Sequence, residues 1–180
     1  MARMAKIPIK IPTGVTVTAE NRVLTVTGPK GQLSWNMPPD VAIILAENEA
    51  KVTHTADGET NLVGLTWAYL SNMVRGVTEG WGKVLELSGT GFRATTSGTQ
   101  LDLALGFSHP IKVTAPAGIT FEVKENKITI KGSDKELVGE IAARIRALRP
   151  ADPYKAKGFK YENEVIVRKA GKAAKAGGVK

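Results

Sequence analysis

The chain has 180 residues, 42% of them hydrophobic, with no cysteine and a net charge of +8. That length and apolar content suit one large domain or two small ones with a packed core, and exclude a wholly disordered chain. Without cysteine there are no disulfides, no thiolate nucleophile and no Cys-type zinc site. No stretch approaches the roughly 20 apolar residues of a membrane span, and MARMAKIPIKIPTG has cations but no apolar run of a secretory signal, so a cytoplasmic protein is expected.

In chain order, residues 12–28, PTGVTVTAENRVLTVTG, alternate apolar and polar side chains. They predict two short strands joined by a tight turn at Glu20-Asn21. Further strands are predicted over 32–37, 41–46 and 50–55. A helix follows from about Thr60 to Val77, where Leu62, Thr66, Trp67, Leu70, Met73, Val74 and Val77 recur at helical spacing. Thr60 or Asn61 suits its cap, and Gly80 and Gly82 its exit. Glu79-Gly80-Trp81-Gly82 reads as a short hinge between domains.

Beyond it, strands are predicted over 83–88, 91–96, 99–105 and 110–114. Residues 116–132, PAGITFEVKENKITIKG, then repeat the plan of 12–28 at a constant offset of 104. Pro12/Pro116, Gly14/Gly118, Thr16/Thr120, Thr25/Thr129 and Gly28/Gly132 are identical, and the second turn falls at Glu125-Asn126. Ser133 and Glu136 have capping-box spacing at the head of a second helix. Its buried face is Leu137, Val138, Ile141, Ile145 and Leu148, Glu140 stands four residues before Arg144 as a surface pair, and Arg149-Pro150 ends it. A last strand is predicted over 161–168. The fold class expected is α+β: two tandem, duplicated domains, 1–81 and 82–180. Each is a small antiparallel sheet packed on one helix, and a basic arm occupies 150–180.

No catalytic constellation is legible. His54 lies in an alternating strand, and the neighbours Ser108 and His109 are not a dyad without a third, orienting group. Gly28-Pro29-Lys30-Gly31 lacks the length and ending of a phosphate loop, and Gly89-Thr90-Gly91 lacks the third glycine of a dinucleotide fingerprint. Trp35, Trp67 and Trp81 read as packing residues. No enzyme, metal site, cofactor or small-molecule substrate is expected.

The charge is uneven. Residues 149–180 carry nine Lys/Arg against Asp152, Glu162 and Glu164, and the body is nearly neutral. Such a cationic end favours a polyanionic partner, nucleic acid before a membrane surface, because Gly158, Gly171, Gly177 and Gly178 break any long amphipathic helix. Lys155, Lys157 and Lys160 are spaced to meet a phosphate track, Gly158 permits close backbone approach, and Tyr154, Phe159 and Tyr161 either anchor the arm or stack on bases. Arg168, Lys169 and Lys172, with Lys175 and Lys180, read as a basic tail that orders on RNA.

Three segments, Gly89-Thr90-Gly91-Phe92-Arg93-Ala94, Leu105-Gly106-Phe107-Ser108-His109-Pro110 and Pro153-Tyr154-Lys155-Ala156-Lys157-Gly158-Phe159-Lys160-Tyr161, resemble in order and spacing the bacterial form of the large-subunit ribosomal protein six family. The resemblance spans nearly the whole chain. It implies a structural protein that binds large-subunit rRNA near the stalk base and the sarcin–ricin loop. Its implied neighbours are other ribosomal proteins, with translation factors docking close by. It assigns RNA contact to Tyr154, Lys155, Lys157, Gly158 and Lys160, and also to Arg93, Ser108 and His109. Ala156 stands where the family usually has Gly, which argues against a required positive φ there. Phe159 replaces an aliphatic residue, and Ala151 stands where Pro is frequent. The nearly neutral first domain is expected to face solvent or protein more than RNA. Two other classes stay open: a free RNA chaperone or translation factor, and a protein–protein adaptor whose basic tail aids solubility.

Overall fold

In both halves a Pro-x-Gly-apolar turn starts the hairpin. In the computed structural model of the chain, which describes residues 7–46, 48–54 and 60–171, Val15 N–H donates to the Pro12 carbonyl and Ile119 N–H to the Pro116 carbonyl, each at 3.2 Å. Gly14 and Gly118 have φ of 88° and 83°, the third-position conformation of a type II turn, which explains why the repeat preserves glycine there. The turns deliver Val15 and Ile119 into the interior, followed by Leu24/Ile128 and Val26/Ile130, all buried.

The first unit contains strands β1 (Ile9–Lys10), β2 (Thr16–Glu20), β3 (Val23–Gly28), β4 (Gly31–Asn36), β5 (Val41–Ala46) and β6 (Glu49–His54), then helix α1 (Thr60–Thr78). Its strands form two antiparallel sheets, ordered β2-β3-β4 and β1-β6-β5. Leu24 and Val26 of β3, Ala50 and Val52 of β6, and Leu70, Met73, Val74 and Val77 of α1 fill the core between them. Thr66 is fully buried in that helix face, its hydroxyl donating to the Leu62 carbonyl at 2.9 Å, so the polar group is satisfied. Trp35 stacks on Tyr69, with centroids 4.4 Å apart.

The second unit contains β7 (Trp81–Ser88), β8 (Arg93–Thr96), β9 (Gln100–Ala104), β10 (Ile111–Thr114), β11 (Ile119–Lys124), β12 (Lys127–Gly132), helix α2 (Lys135–Leu148) and β13 (Gly158–Tyr161). These form sheets ordered β11-β12-β7-β13 and β10-β9-β8. The compact units divide between Trp81 and Gly82, with Ser133–Lys135 grouped with the first. The core of the second holds Leu85, Leu87, Leu101, Leu103, Ile128 and Ile130, with Val138, Ile141, Ala142 and Ile145 from α2. The expected Glu140–Arg144 pair forms on the exposed helix surface.

Five expectations need correction, the first being the buried face of α2, where Leu137 and Leu148 are only partly buried and Ala142 joins the core instead, because the helix turns Val138, Ile141, Ala142 and Ile145 inward. The first hairpin turn lies at Asn21-Arg22, with φ of 50° and 64°, one residue later than predicted; the offset of 104 places it opposite the second turn at Glu125-Asn126. In α1, Val63 is buried and Leu62 only partly so, because the stripe runs Val63, Leu70, Val74, Val77. Position 156 does take a positive φ, 55°, although it is alanine. The strand expected over 161–168 is absent: β13 ends at Tyr161, and Val165 and Val167 are exposed, because a turn held by Glu164 breaks the alternation.

The matching turns make a prediction. Gly14→Ala and Gly118→Ala should each destabilise by about 1–2 kcal/mol, the cost of forcing a Cβ into the left-handed region. Urea unfolding monitored by tryptophan fluorescence and by far-UV circular dichroism checks it.

Candidate nucleic-acid interface

Three loops of the second unit meet at one end: residues 89–92 between β7 and β8, 105–110 between β9 and β10, and 149–157 between α2 and β13. They are the three segments whose order and spacing mark the sequence. Lys157 Nζ donates to Thr90 Oγ1 at 3.4 Å. The Arg149 guanidinium lies 5.9 Å from the Phe92 ring centroid and 5.5 Å from that of Phe107.

Pairing of β13 with β7, Gly158 opposite Ser88 and Phe159 opposite Leu87, fixes the third loop to the sheet. Phe159 is fully buried, its N–H donates to the Arg149 carbonyl at 2.8 Å, and Ala151 N–H donates to the Phe159 carbonyl at 3.2 Å. A Cβ on Gly158 would stand 2.5 Å from the Pro150 carbonyl oxygen and 2.6 Å from that of Arg149. Glycine there serves the close approach of the arm to the chain leaving α2, and its backbone is buried.

Between these anchors, residues 152–157 form one tight turn. Ala156 N–H donates to the Asp152 carbonyl at 2.8 Å, Lys155 N–H to Asp152 Oδ2 at 3.1 Å, and Asp152 N–H to the Lys157 carbonyl at 2.9 Å. The Asp152 side chain caps the turn as an N-cap residue caps a helix. Tyr154, 56% exposed, and the exposed Lys155 and Lys157 project from it.

The chain after β13 is drawn back to the same end. Glu164 accepts from Arg146 Nε at 3.1 Å and Nη2 at 2.5 Å, and from Tyr161 N–H at 3.0 Å. These contacts, the Arg146 hydrogen bond foremost, hold its carboxyl below the ordinary value of 4.5, and they hold the Arg146 guanidinium higher than usual. Lys169 N–H then donates to the Pro153 carbonyl at 3.0 Å, bringing the exposed Arg168 and Lys169 to the arm.

Two sets of cations in the second unit differ in their pairing. Among the described residues no carboxylate pairs with Arg93, Arg149, Lys155, Lys157, Arg168 or Lys169. Lys160 is different: it is half-buried, and its Nζ lies 2.7 Å from Glu86 Oε2. Lys127 reaches Glu86 at 3.6 Å and Glu162 at 2.9 Å. The Lys160 hydrogen bond holds the Glu86 carboxyl below its ordinary value, and Glu162 raises Lys127. This cluster neutralises itself on the sheet and flanks a groove of about 480 Å³ lined by Glu86, Lys124, Lys127 and Lys160.

Arg93 opens β8 and is exposed, as are Ser108 and His109, with Ser108 Oγ 3.4 Å from His109 Nδ1. Lys172, like Lys175 and Lys180, lies outside the described residues. Sequence reasoning gave no site role to Phe92, Phe107 or Arg149; Phe92 and Phe107 stood inside marked segments, and Arg149 beside the proline that stops α2. Among the described residues no cluster of three or more His, Asp or Glu could hold a metal ion, and no helix is long and apolar enough to cross a membrane.

The family model for ribosomal protein L6 matches residues 11–80 and 88–162. A large ribosomal subunit protein uL6 from Roseiflexus castenholzii is 50% identical over 186 residues, covering 98% of this chain and 100% of its own length. The uL6 of Chlamydia trachomatis serovar D is 49% identical over 181 residues, 98% of this chain and 99% of its own. That of Syntrophomonas wolfei is 48% identical over 176 residues, 96% and 98% respectively.

Two outcomes are expected of this geometry. Ala156→Gly should stabilise the protein by about 0.5–1 kcal/mol, since glycine relieves the positive φ at the cost of unfolded-state entropy; thermal melts of the pair check it. Because Glu164 has a lowered folded-state value, its pairing stabilises above the ordinary 4.5 and is lost as pH falls through the lowered value. Glu164→Gln should therefore cost about 1 kcal/mol at neutral pH. The difference should vanish in acid, as melts across a pH series will show.

Proposed function

The chain belongs to the ribosomal protein L6 family, and from that premise we propose that it is a structural constituent of the large ribosomal subunit. It binds large-subunit rRNA through the loop end of its second unit and takes no catalytic part in translation. The observation that carries this reading is the sorting of charge. Arg149, Lys155, Lys157, Arg168 and Lys169, none with a described carboxylate partner, gather on the 149–157 turn and the returning segment, and other such cations (Lys10, Lys51, Lys83 and Lys112) stand on separate strands, whereas Lys127, Lys131 and Lys160 are spent on Glu86, Glu122 and Glu162. Unpaired ammonium and guanidinium groups on a rigid turn neutralise phosphates and release their counterions, which makes affinity strongly salt-dependent.

Recognition is mainly of RNA shape, because the deep major groove of an A-form helix admits no side-chain reading. The family resemblance supports a position at the stalk base near the sarcin–ricin loop, among other ribosomal proteins and close to docking translation factors. Tyr154, Lys155 and Lys157 are the contacts favoured most, with Arg93, Ser108, His109, Arg168 and Lys169 around them. Gly158 acts by shaping the turn. Lys160 is better suited to holding β13 on the sheet than to a phosphate, so reversing its charge would set a carboxylate against Glu86 and confuse folding with binding.

The test is a filter-binding titration of deproteinised 23S-type rRNA across a salt series. Lys155→Glu with Lys157→Glu should weaken binding at least about tenfold near 0.15 M salt and flatten the salt dependence, with an unchanged melt. Lys10→Glu with Lys51→Glu, both exposed on the first unit, should bind as the parent does. Equal binding by the first pair, or a larger loss in the second, overturns the site assignment.

A further inference from the structure

Phe107 is a large apolar side chain left 44% exposed at the tip of the 105–110 loop, where neither core packing nor strand pairing uses it. The Arg149 guanidinium lies 5.5 Å from its ring centroid and 5.9 Å from that of Phe92, within cation–π range of both. Arg149 has no described carboxylate partner, and its backbone is fixed by the hydrogen bond from Phe159. An exposed flat ring, a pre-oriented guanidinium beside it and the Lys155 and Lys157 turn following in the chain form a composite surface. An apolar protein side chain would need the ring but not the surrounding cations; an RNA duplex would need the cations but not the ring. Both are needed by a nucleotide whose base is out of the stack, since its base presents a π-face and its phosphate a charge.

We propose that Phe107 is a stacking platform for an unpaired nucleobase of the bound RNA, and that Arg149 holds the ring in place and meets the adjacent phosphate. This rests on the rRNA-binding reading above and adds to it a base-contacting residue. Stacking is an uncharged contact and phosphate neutralisation is a charged one, so the two residues have different salt signatures.

The full-length protein is titrated with deproteinised 23S-type rRNA across a salt series. Phe107→Ala and Phe107→Leu should weaken binding about tenfold to a hundredfold, as loss of one base–aromatic stack does, with the slope against log salt unchanged. Phe107→Trp should bind at least as well as the parent. Arg149→Gln should lower the slope by about one. Because Phe107 is exposed, melts of its variants should coincide with the parent's. Parent-like binding by Phe107→Leu overturns the platform, since leucine keeps the apolar bulk but not the flat face. So does an equal loss in the tryptophan variant. If Phe107→Leu binds naked rRNA normally but fails to incorporate into large subunits, the ring meets a protein side chain and the proposal fails. Loss confined to the Lys155/Lys157 variant rejects the platform alone; no salt-dependent binding by the parent rejects the RNA reading itself.

Discussion

The burial of Phe159 against the sheet, with Gly158 pressed onto the carbonyls of Arg149 and Pro150, decides where the charges of this protein stand. An unanchored chain of lysines would lose much conformational entropy on meeting RNA. Here that ordering is complete before binding: β13 joins β7, the 152–157 turn closes on Asp152, and Lys155 and Lys157 issue from a fixed backbone. The Arg146–Glu164 pair extends the same fixation to the residues beyond β13. Preorganisation of this kind raises affinity by reducing what binding must order.

Charge is partitioned by the sheet. Residues Lys127, Lys131 and Lys160 face carboxylates on neighbouring strands, where the pairs hold register but add little net field. The loop end keeps its cations without such partners. Net charge alone therefore understates the local density of positive charge where Arg149, Lys155, Lys157, Arg168 and Lys169 meet. Phe107, Arg149 and Phe92 add a flat apolar element to that end.

The repeated hairpins were legible because each identity has a local cause: proline and glycine set the type II turn, and alternating aliphatics set the buried face. Both helices were legible from their stripes for the same reason. The alternation in Tyr161-Glu162-Asn163-Glu164-Val165-Ile166-Val167 looked like a strand, but the Glu164 carboxylate finds Arg146, eighteen residues earlier, a tertiary contact that no local pattern contains. Ala156 misled in a similar way. Its residue type argues for ordinary φ, yet the hydrogen bonds of Asp152 on both sides of the turn impose 55°. Of the candidate interface, the spacing of Lys155 and Lys157 was visible. That Lys160 is neutralised by Glu86, and that Arg149 joins two loops through Phe92 and Phe107, required the strand pairing and the chain reversal after α2.

A photoreactive amino acid placed at Tyr154, and separately at Lys51, in otherwise intact large subunits probes the division of labour between the two units directly. Irradiation should attach position 154 to rRNA and leave position 51 without nucleotide adducts. Adducts from position 51 with none from 154 would mean that the first unit grips the RNA, and that the anchored turn serves another purpose.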